Sequence, residues 1–259
     1  MPDRALLSIR NNIAWCDTVC RAHGLPGELA PDLWVQPRRG PPYYSNAIVR
    51  SRALDEALLT AIERLQAALP DGFSIKDANA ALDLSGLGFR ILFDAEWIWH
   101  AGGETERGEG HGRVLHTSPL PDPLPQGERE RTAEWFKVAS EAELVEWEAA
   151  WAAAGSPSAT RVFLPTLLKE KSLAFFGARQ EERIVAGAAA NRSEGKVVGF
   201  SNFFAPAQAR EVFRAAAVAR VAAFAPGSPI VGYERGDDLT GMMALGFRSV
   251  GKLRVWLWP

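Results

Sequence analysis

Two groups of side chains in the N-terminal part of the chain have the types that binding or catalysis needs. Cys16, Cys20 and His23 form a C-x3-C-x2-H pattern in a segment of helical character. Three such ligands on one helical face would suit a thiophilic metal, but the spacing is not among the common zinc patterns, and thiols stacked along one helix make no disulfide framework. The pattern favours reduced, packed thiols with a histidine at the helix end, and no metal is expected. The second group is Trp34, Arg38, Arg39, Tyr43, Tyr44 and Asn46, around the run PRRGPPYYSN, whose glycine and prolines force an irregular loop. Arginines beside aromatic faces suit a carboxylate or phosphate on a planar ligand, and they equally suit simple packing of a solvated guanidinium on a ring. Loops held by a rigid scaffold commonly carry binding function, which makes Trp34, Arg38 and Tyr43 candidate substrate-binding residues.

The chain around these groups has the composition of an ordinary globular protein: 47% of its 259 residues are hydrophobic and 23% charged. The formal net charge is −2 and no dense Lys/Arg block occurs, so the electrostatic footprint of a nucleic-acid binder is missing. Met1 to Asn12 holds no continuous apolar run, and the most apolar later stretch, Ala215 to Ala225, is interrupted by Arg220 and too short to span a bilayer. A cytoplasmic protein without nucleic-acid or membrane partners is expected.

Periodicity and punctuation divide the chain into an N-terminal α/β lobe (1–101), a flexible Gly/Pro/charge-rich insertion (102–133) and a C-terminal domain (134–259). In the first lobe, helices are expected over Asn12 to Ala22 and Leu54 to Leu69. Strands are expected over Leu33 to Gln36, Ala47 to Arg50, Phe73 to Lys76 and Arg90 to Trp99. In the second, Trp135 to Ala139 reads as a strand, and Ser140 with Glu143 forms a capping box ahead of Leu144, Trp147 and Trp151 at helical spacing. Three strands follow, Leu173 to Ala178, Arg183 to Ala190 and Lys196 to Phe204, as an antiparallel meander. A helix over Gln208 to Phe224, a strand over Pro229 to Glu234, a short helix over Asp238 to Leu245 and a strand over Phe247 to Trp258 complete the order. The result is an α/β (α+β) fold with a mixed, largely antiparallel sheet flanked by helices. Both lobes close alike, with Leu-Gly-Phe-Arg at 87–90 and 245–248 and then Trp-Ile-Trp or Trp-Leu-Trp, which points to two pseudo-repeated lobes.

The order β, α, three antiparallel strands, α, β, α, β, together with the ending VGYERGDDLTGMMALGFRSVGKLRVWLW, resembles the GNAT superfamily of N-acyltransferases. The resemblance covers the last 125 or so residues, with the first lobe matching as a diverged half-GNAT, as in tandem GNAT proteins. It implies an acyl-CoA-dependent N-acyltransferase-like protein that takes acetyl-CoA or another acyl-CoA as donor and a small-molecule or peptide amine as acceptor, and it admits a homodimer. The same fold also serves as a catalytically inactive ligand-binding or regulatory module. In the family the fourth and fifth strands splay apart to admit the pantetheine arm, and a loop of pattern R/Q-x-x-G-x-G/A holds the pyrophosphate on backbone N–H groups. The corresponding stretch here, Phe203 to Phe213, contains no glycine, so Phe203, Ala207, Gln208, Ala209 and Arg210 are the cofactor-binding candidates, with Arg210 or Arg214 as cationic contacts. Met242 stands where the family often has a tyrosine that protonates the leaving thiolate. Tyr233 is the nearest phenol and Glu234 the neighbouring carboxylate, so these two are the catalytic candidates. Asp237 and Asp238 are expected to cap the next helix. Ser201 and Asn202 interrupt an apolar strand where the resemblance places the substrate amide, and they are substrate-binding candidates.

Overall fold

The computed structural model describes residues 3–102 and 133–259. The insertion expected at 102–133 therefore lies, but for its two end residues, outside the described part of the chain.

Helix α1, Arg4–Ala22, begins well before the expected Asn12. Asp3 explains the difference: its carboxylate accepts from the N–H groups of Ala5 and Leu6, satisfying two donors that a helix start leaves open. The polar Arg10-Asn11-Asn12 run continues the helix, with Asn11 buried and bonded. Its amide donates to the Asn191 carbonyl at 3.0 Å and to Ser193 Oγ at 2.9 Å.

Three short strands follow, β1 (Glu28–Ala30), β2 (Leu33–Val35) and β3 (Ala47–Val49), of which β1 has no clear signature in the sequence. Helix α2, Glu56–Ala68, is capped by Asp55 through the Leu58 N–H, and it buries Leu58, Ala61, Ile62 and Leu65. Leu54, expected to open that stripe, precedes the cap and is exposed. Then come β4 (Phe73–Asp77), a 3-10 turn (Ser85–Leu87) and β5 (Arg90–His100). From residue 133 on the order is β6 (Glu134–Lys137), α3 (Glu141–Ala153), β7 (Leu173–Gln180), β8 (Arg183–Ser193), β9 (Val197–Phe204), α4 (Arg210–Phe224), β10 (Ile230–Glu234), α5 (Gly236–Ala244) and β11 (Arg248–Trp258). The capping box of α3 is present, and Trp147 and Trp151 are buried beneath it, Trp147 donating its indole N–H to the Phe176 carbonyl at 2.8 Å.

All of these strands join one 11-stranded sheet in the order β1-β2-β3-β4-β11-β5-β10-β9-β8-β7-β6. Two units repeat within it: β3-α2-β4-turn-β5 and β9-α4-β10-α5-β11, each with a parallel strand pair, β3 with β4 and β9 with β10. Their last strands cross over. Strand β5 pairs with β10 of the other unit, β11 pairs with β4, and β5 and β11 pair with each other at the centre. The shared Leu-Gly-Phe-Arg has a local cause, since Gly88 (φ 86) and Gly246 (φ 88) adopt the left-handed conformation that ends a helical turn, and the following Phe89 and Phe247 are buried.

Helices α1 and α3 cover one face of the sheet. Ile9, Ile13 and Val19 of α1 and Trp147 and Trp151 of α3 share a core with Trp97, Phe175 and Leu253. The other face is covered by α2 over β3 and β4, and by α4 and α5 over β7 to β10. Among the described residues no helix is long and apolar enough to cross a membrane, and no cluster of His, Cys, Asp and Glu could hold a metal ion. Cys16 and Cys20 are free and buried, burial pushing both thiols up, Cys20 to about 12; His23 bonds the Val162 carbonyl at 2.8 Å.

Candidate active site at the opening between β9 and β10

Strands β9 and β10 are paired only at Val198 with Ile230 and at Gly199 with Val231, and beyond these the two strands separate. Two local features produce the opening. On β9, Ser201 faces Ala189 and Phe204 faces Gly187, so Asn202 and Phe203 occupy the span that Ala188 alone fills on β8. This is a β-bulge, and Asn202 sits in it at φ 52, a left-handed conformation that Asn tolerates better than most residues. On β10, Gly232 supplies no side chain. A Cβ there would stand 2.7 Å from the Phe200 carbonyl oxygen, so only glycine lets the strands approach and then part.

The opening is the waist of a cavity of about 260 Å³ that passes through the sheet. On the α1 side it is lined by Asn12, Trp15 and Cys16 of α1, Tyr43 and Tyr44 of the loop before β3, and Lys76 of β4. Tyr233 also lines it and packs edge-on against Trp97, with ring centroids 5.6 Å apart. On the α4 side the walls are Phe203, Glu234 and Asp238. The Ser201 hydroxyl lies at the waist, buried and without a hydrogen-bond partner, a condition that a ligand's polar group would relieve.

Glu234 has the most informative electrostatics of these groups. Burial raises its pKa first and the negative charge of Asp238 adds to it; Arg214 and Arg210 offset part of this, and the result is a carboxyl pushed up to about 8. Asp238 behaves in the opposite way. Burial works against its charge, but Arg210 grips it with bonds of 2.7 and 2.9 Å and Arg214 with one of 2.7 Å, which together hold its pKa below the usual value. Arg214, fully buried, also bonds Glu211 through two contacts of 3.1 Å. Gly241 of α5 makes room for this network, since a Cβ there would meet Arg214 Nε at 2.5 Å. Asp238 is thus an ion-pair hub in the first turn of α5 and does not cap it; the N-cap position is Arg235, without a side-chain bond.

The structure distributes the sequence-derived candidates unevenly. Tyr233, Glu234, Ser201, Asn202, Phe203 and Tyr43 all line the cavity. Trp34 and Arg38 do not. Trp34 is buried with its indole N–H on Asp17 at 3.1 Å, and Arg38 is exposed and donates to the Gly24 carbonyl at 3.0 Å. Ala207, Gln208 and Ala209 form a 3-10 turn leading into α4, Ala207 and Gln208 exposed. Arg210 and Arg214, expected as free cationic contacts, are committed to Asp238. Met242 is fully buried in the core beneath α4 and α5. Lys76 and Asn12 line the cavity with no signal in the sequence to mark them, because each falls in an ordinary strand or helix pattern.

The opening brings together one strand glycine, an unpartnered hydroxyl and a bulge, features with which a donor thioester would be compatible. At the pyrophosphate end the fit rests on the start of α4, whose N-cap Ala209 offers no side chain to its first-turn N–H groups.

No protein-family model matches the chain, and no curated protein is significantly similar to it in sequence. Solved structures do match it. A GCN5-related N-acetyltransferase from Kribbella flavida superposes with a TM-score of 0.60 at 18% identity, covering 97% of this chain and 96% of that one. A functionally unknown conserved protein from Staphylococcus epidermidis gives a TM-score of 0.60 at 14% identity over 89% of this chain and 92% of its own. A GCN5-related N-acetyltransferase from Sphaerobacter thermophilus gives 0.54 at 10% identity, over 82% and 71%. The chain has the GNAT fold, a mixed and mostly antiparallel sheet flanked by helices.

Proposed function

We propose that this protein is an acyl-CoA-dependent N-acyltransferase that works at the opening between β9 and β10. The observation that carries the proposal is the coincidence, in one cavity, of separated parallel strands, the unpartnered Ser201 hydroxyl and the Glu234 carboxyl of raised pKa. Acyl-CoA supplies the activated thioester, with acetyl-CoA the simplest donor. Asn202 and Phe203 of the bulge and Gly232 opposite them border the slot that would receive it, and the first-turn N–H groups of α4 beyond Arg210, which no side chain caps, would hold its phosphates. An acceptor amine arrives protonated near neutral pH, and Glu234, with a pKa of about 8, is basic enough to take that proton once ionised. The amine nitrogen would then bond the acyl carbon as the carbon–sulfur bond breaks, the Tyr233 hydroxyl would give its proton to the leaving thiolate, and the proton the nitrogen sheds on becoming an amide would restore the phenol. The Ser201 hydroxyl orients the acceptor.

The test is the pH dependence of acetyl transfer. With Glu234 as base, kcat/KM rises with pH and levels off above about 8. Glu234→Gln lowers it by about 10²–10³-fold and removes that inflection. A profile that survives the substitution unchanged would overturn the role given to Glu234.

A further inference from the structure

Lys76 is an unusual presence on the α1 side of the cavity. Only 4% of it is exposed, and its ammonium has a single hydrogen-bond partner, the neutral Asn12 Oδ1 at 2.7 Å. Its other neighbour is the face of Tyr233, with Nζ 4.5 Å from the ring centroid. Among the described residues every ion pair is made by an arginine, so no carboxylate neutralises this lysine. Burying a charge that is neither paired nor fully hydrogen-bonded is costly, and a counter-ion from outside the chain would relieve that cost.

The rest of the cavity supplies none. Trp15, Cys16 and Tyr44 on the same side are neutral, burial holding the Cys16 thiol and Tyr44 phenol in their protonated forms. Asp238 across the waist is taken by two arginines, and Glu234 is largely protonated at neutral pH. The space is therefore positive on the α1 side and walled by Trp15, Tyr43 and Trp151.

We propose that the α1 side of this cavity is the acceptor subsite and that Lys76 Nζ binds a carboxylate of the acceptor, which makes the substrate class α-amino acids. The inference rests on the acyltransferase reading for the word acceptor, while the carboxylate subsite itself stands on Lys76. With the carboxylate on Lys76, the amino group one carbon away would lie in the same cavity as Ser201 and, across the waist, Glu234.

The experiment compares L-leucine and L-phenylalanine with leucinamide and phenylalaninamide, which keep the amine and lose the carboxylate. Each is tested by thermal shift alone and as acceptor with acetyl-CoA, in wild type, Lys76→Met and Lys76→Arg. The free acids should stabilise the wild type and the amides should not. In turnover, KM should be at least about 10-fold lower for acid than amide. Lys76→Met should erase that difference through KM, leaving acetyl-CoA affinity unchanged, and Lys76→Arg should restore part of it. Equal response to acids and amides, response to none of the four, or a difference that survives Lys76→Met overturns the subsite. Acids that bind to a protein with no affinity for acetyl-CoA would uphold the subsite and refute the acyltransferase reading. Should Lys76→Met lose cooperative unfolding, the wild-type comparison and Lys76→Arg decide.

Discussion

Asp77 ends β4 and Glu234 ends β10, the second strands of the two parallel pairs in the sheet. In the first pair the strands stay together to the end: β3 and β4 are in register from Ala47 with Ile75 through Val49 with Asp77, and the Ala78 N–H continues the ladder to the Val49 carbonyl at 2.8 Å. Asp77 is fully buried there, and its carboxylate accepts from the N–H groups of Asn79 at 3.0 Å and Leu82 at 2.8 Å. In the second pair the register stops at Val231, the strands part around the Asn202 bulge and Gly232, and Glu234 faces a cavity with no hydrogen bond to hold it. Burial raises both acids' pKa values, but only Glu234 also faces another carboxylate, Asp238. One architecture thus uses its strand-end acid once as a fastening for the following turn and once as an unfastened, titratable group. The difference lies in whether the strands close, and a bulge with one glycine is enough to keep them apart.

The comparison can be broken first at Asp77. Asp77→Ala leaves the buried Leu82 N–H and the half-buried Asn79 N–H without acceptors and should cost about 2–4 kcal/mol, read from the denaturation midpoint at constant slope. Glu234→Ala loses no hydrogen bond and removes a carboxyl whose raised pKa already costs stability at neutral pH, so its midpoint should hold or rise, by up to about 1.5 kcal/mol. Equal losses at both positions would mean that the two acids do the same structural work.

A second prediction uses pH. A carboxyl whose folded pKa lies above its unfolded value of 4.5 binds more protons in the native state between the two values, so stability should fall as pH rises from 4.5 to about 8 and then level off. Since Glu234 is only partly buried, the loss should be on the order of 2 kcal/mol, and Glu234→Gln should remove it. Urea melts at pH 5, 7 and 9 measure it, and parallel curves for wild type and variant would contradict the environment described for Glu234.

The smallest expected effect concerns the bulge. Asn202→Gly should keep stability within about 0.5 kcal/mol and preserve turnover, whereas Asn202→Val, forced to a positive φ, should cost about 1–2 kcal/mol. Tolerance of valine would show that β9 can straighten and that the opening is not built in.

Much of this was legible in the sequence where signals are local. The capping box at Ser140, the Trp147 and Trp151 stripe and the turn glycines at 88 and 246 act over a few residues, and they place α3, β5 and β11 near their observed ends. The N-cap at Asp3 was equally local, yet the helix expected from Asn12 begins at Arg4, where the burial of Asn11 against Asn191 and Ser193 depends on residues about 180 positions away. Long-range facts left no trace. The exchange of β5 and β11 depends on pairing between segments some 160 positions apart, as in the Asp94 to Arg254 register. At the site, Tyr233, Glu234, Ser201 and Asn202 were visible as polar breaks in apolar strands. The engagement of Arg210 by Asp238 and the isolation of Lys76 were not, because both depend on what stands across a gap.

The most direct test of the account is calorimetric titration of the protein with acetyl-CoA, beside Gly232→Ala, whose added Cβ would press on the Phe200 carbonyl and obstruct the opening. The account predicts saturable binding of one ligand per chain that weakens as salt rises, since the phosphates meet only backbone donors and partly exposed charges. It also predicts at least a 10-fold loss in Gly232→Ala while cooperative unfolding is retained. Absence of heat with the wild type at millimolar acetyl-CoA, or equal binding by the glycine variant, would contradict the claim that donor binding occurs between β9 and β10.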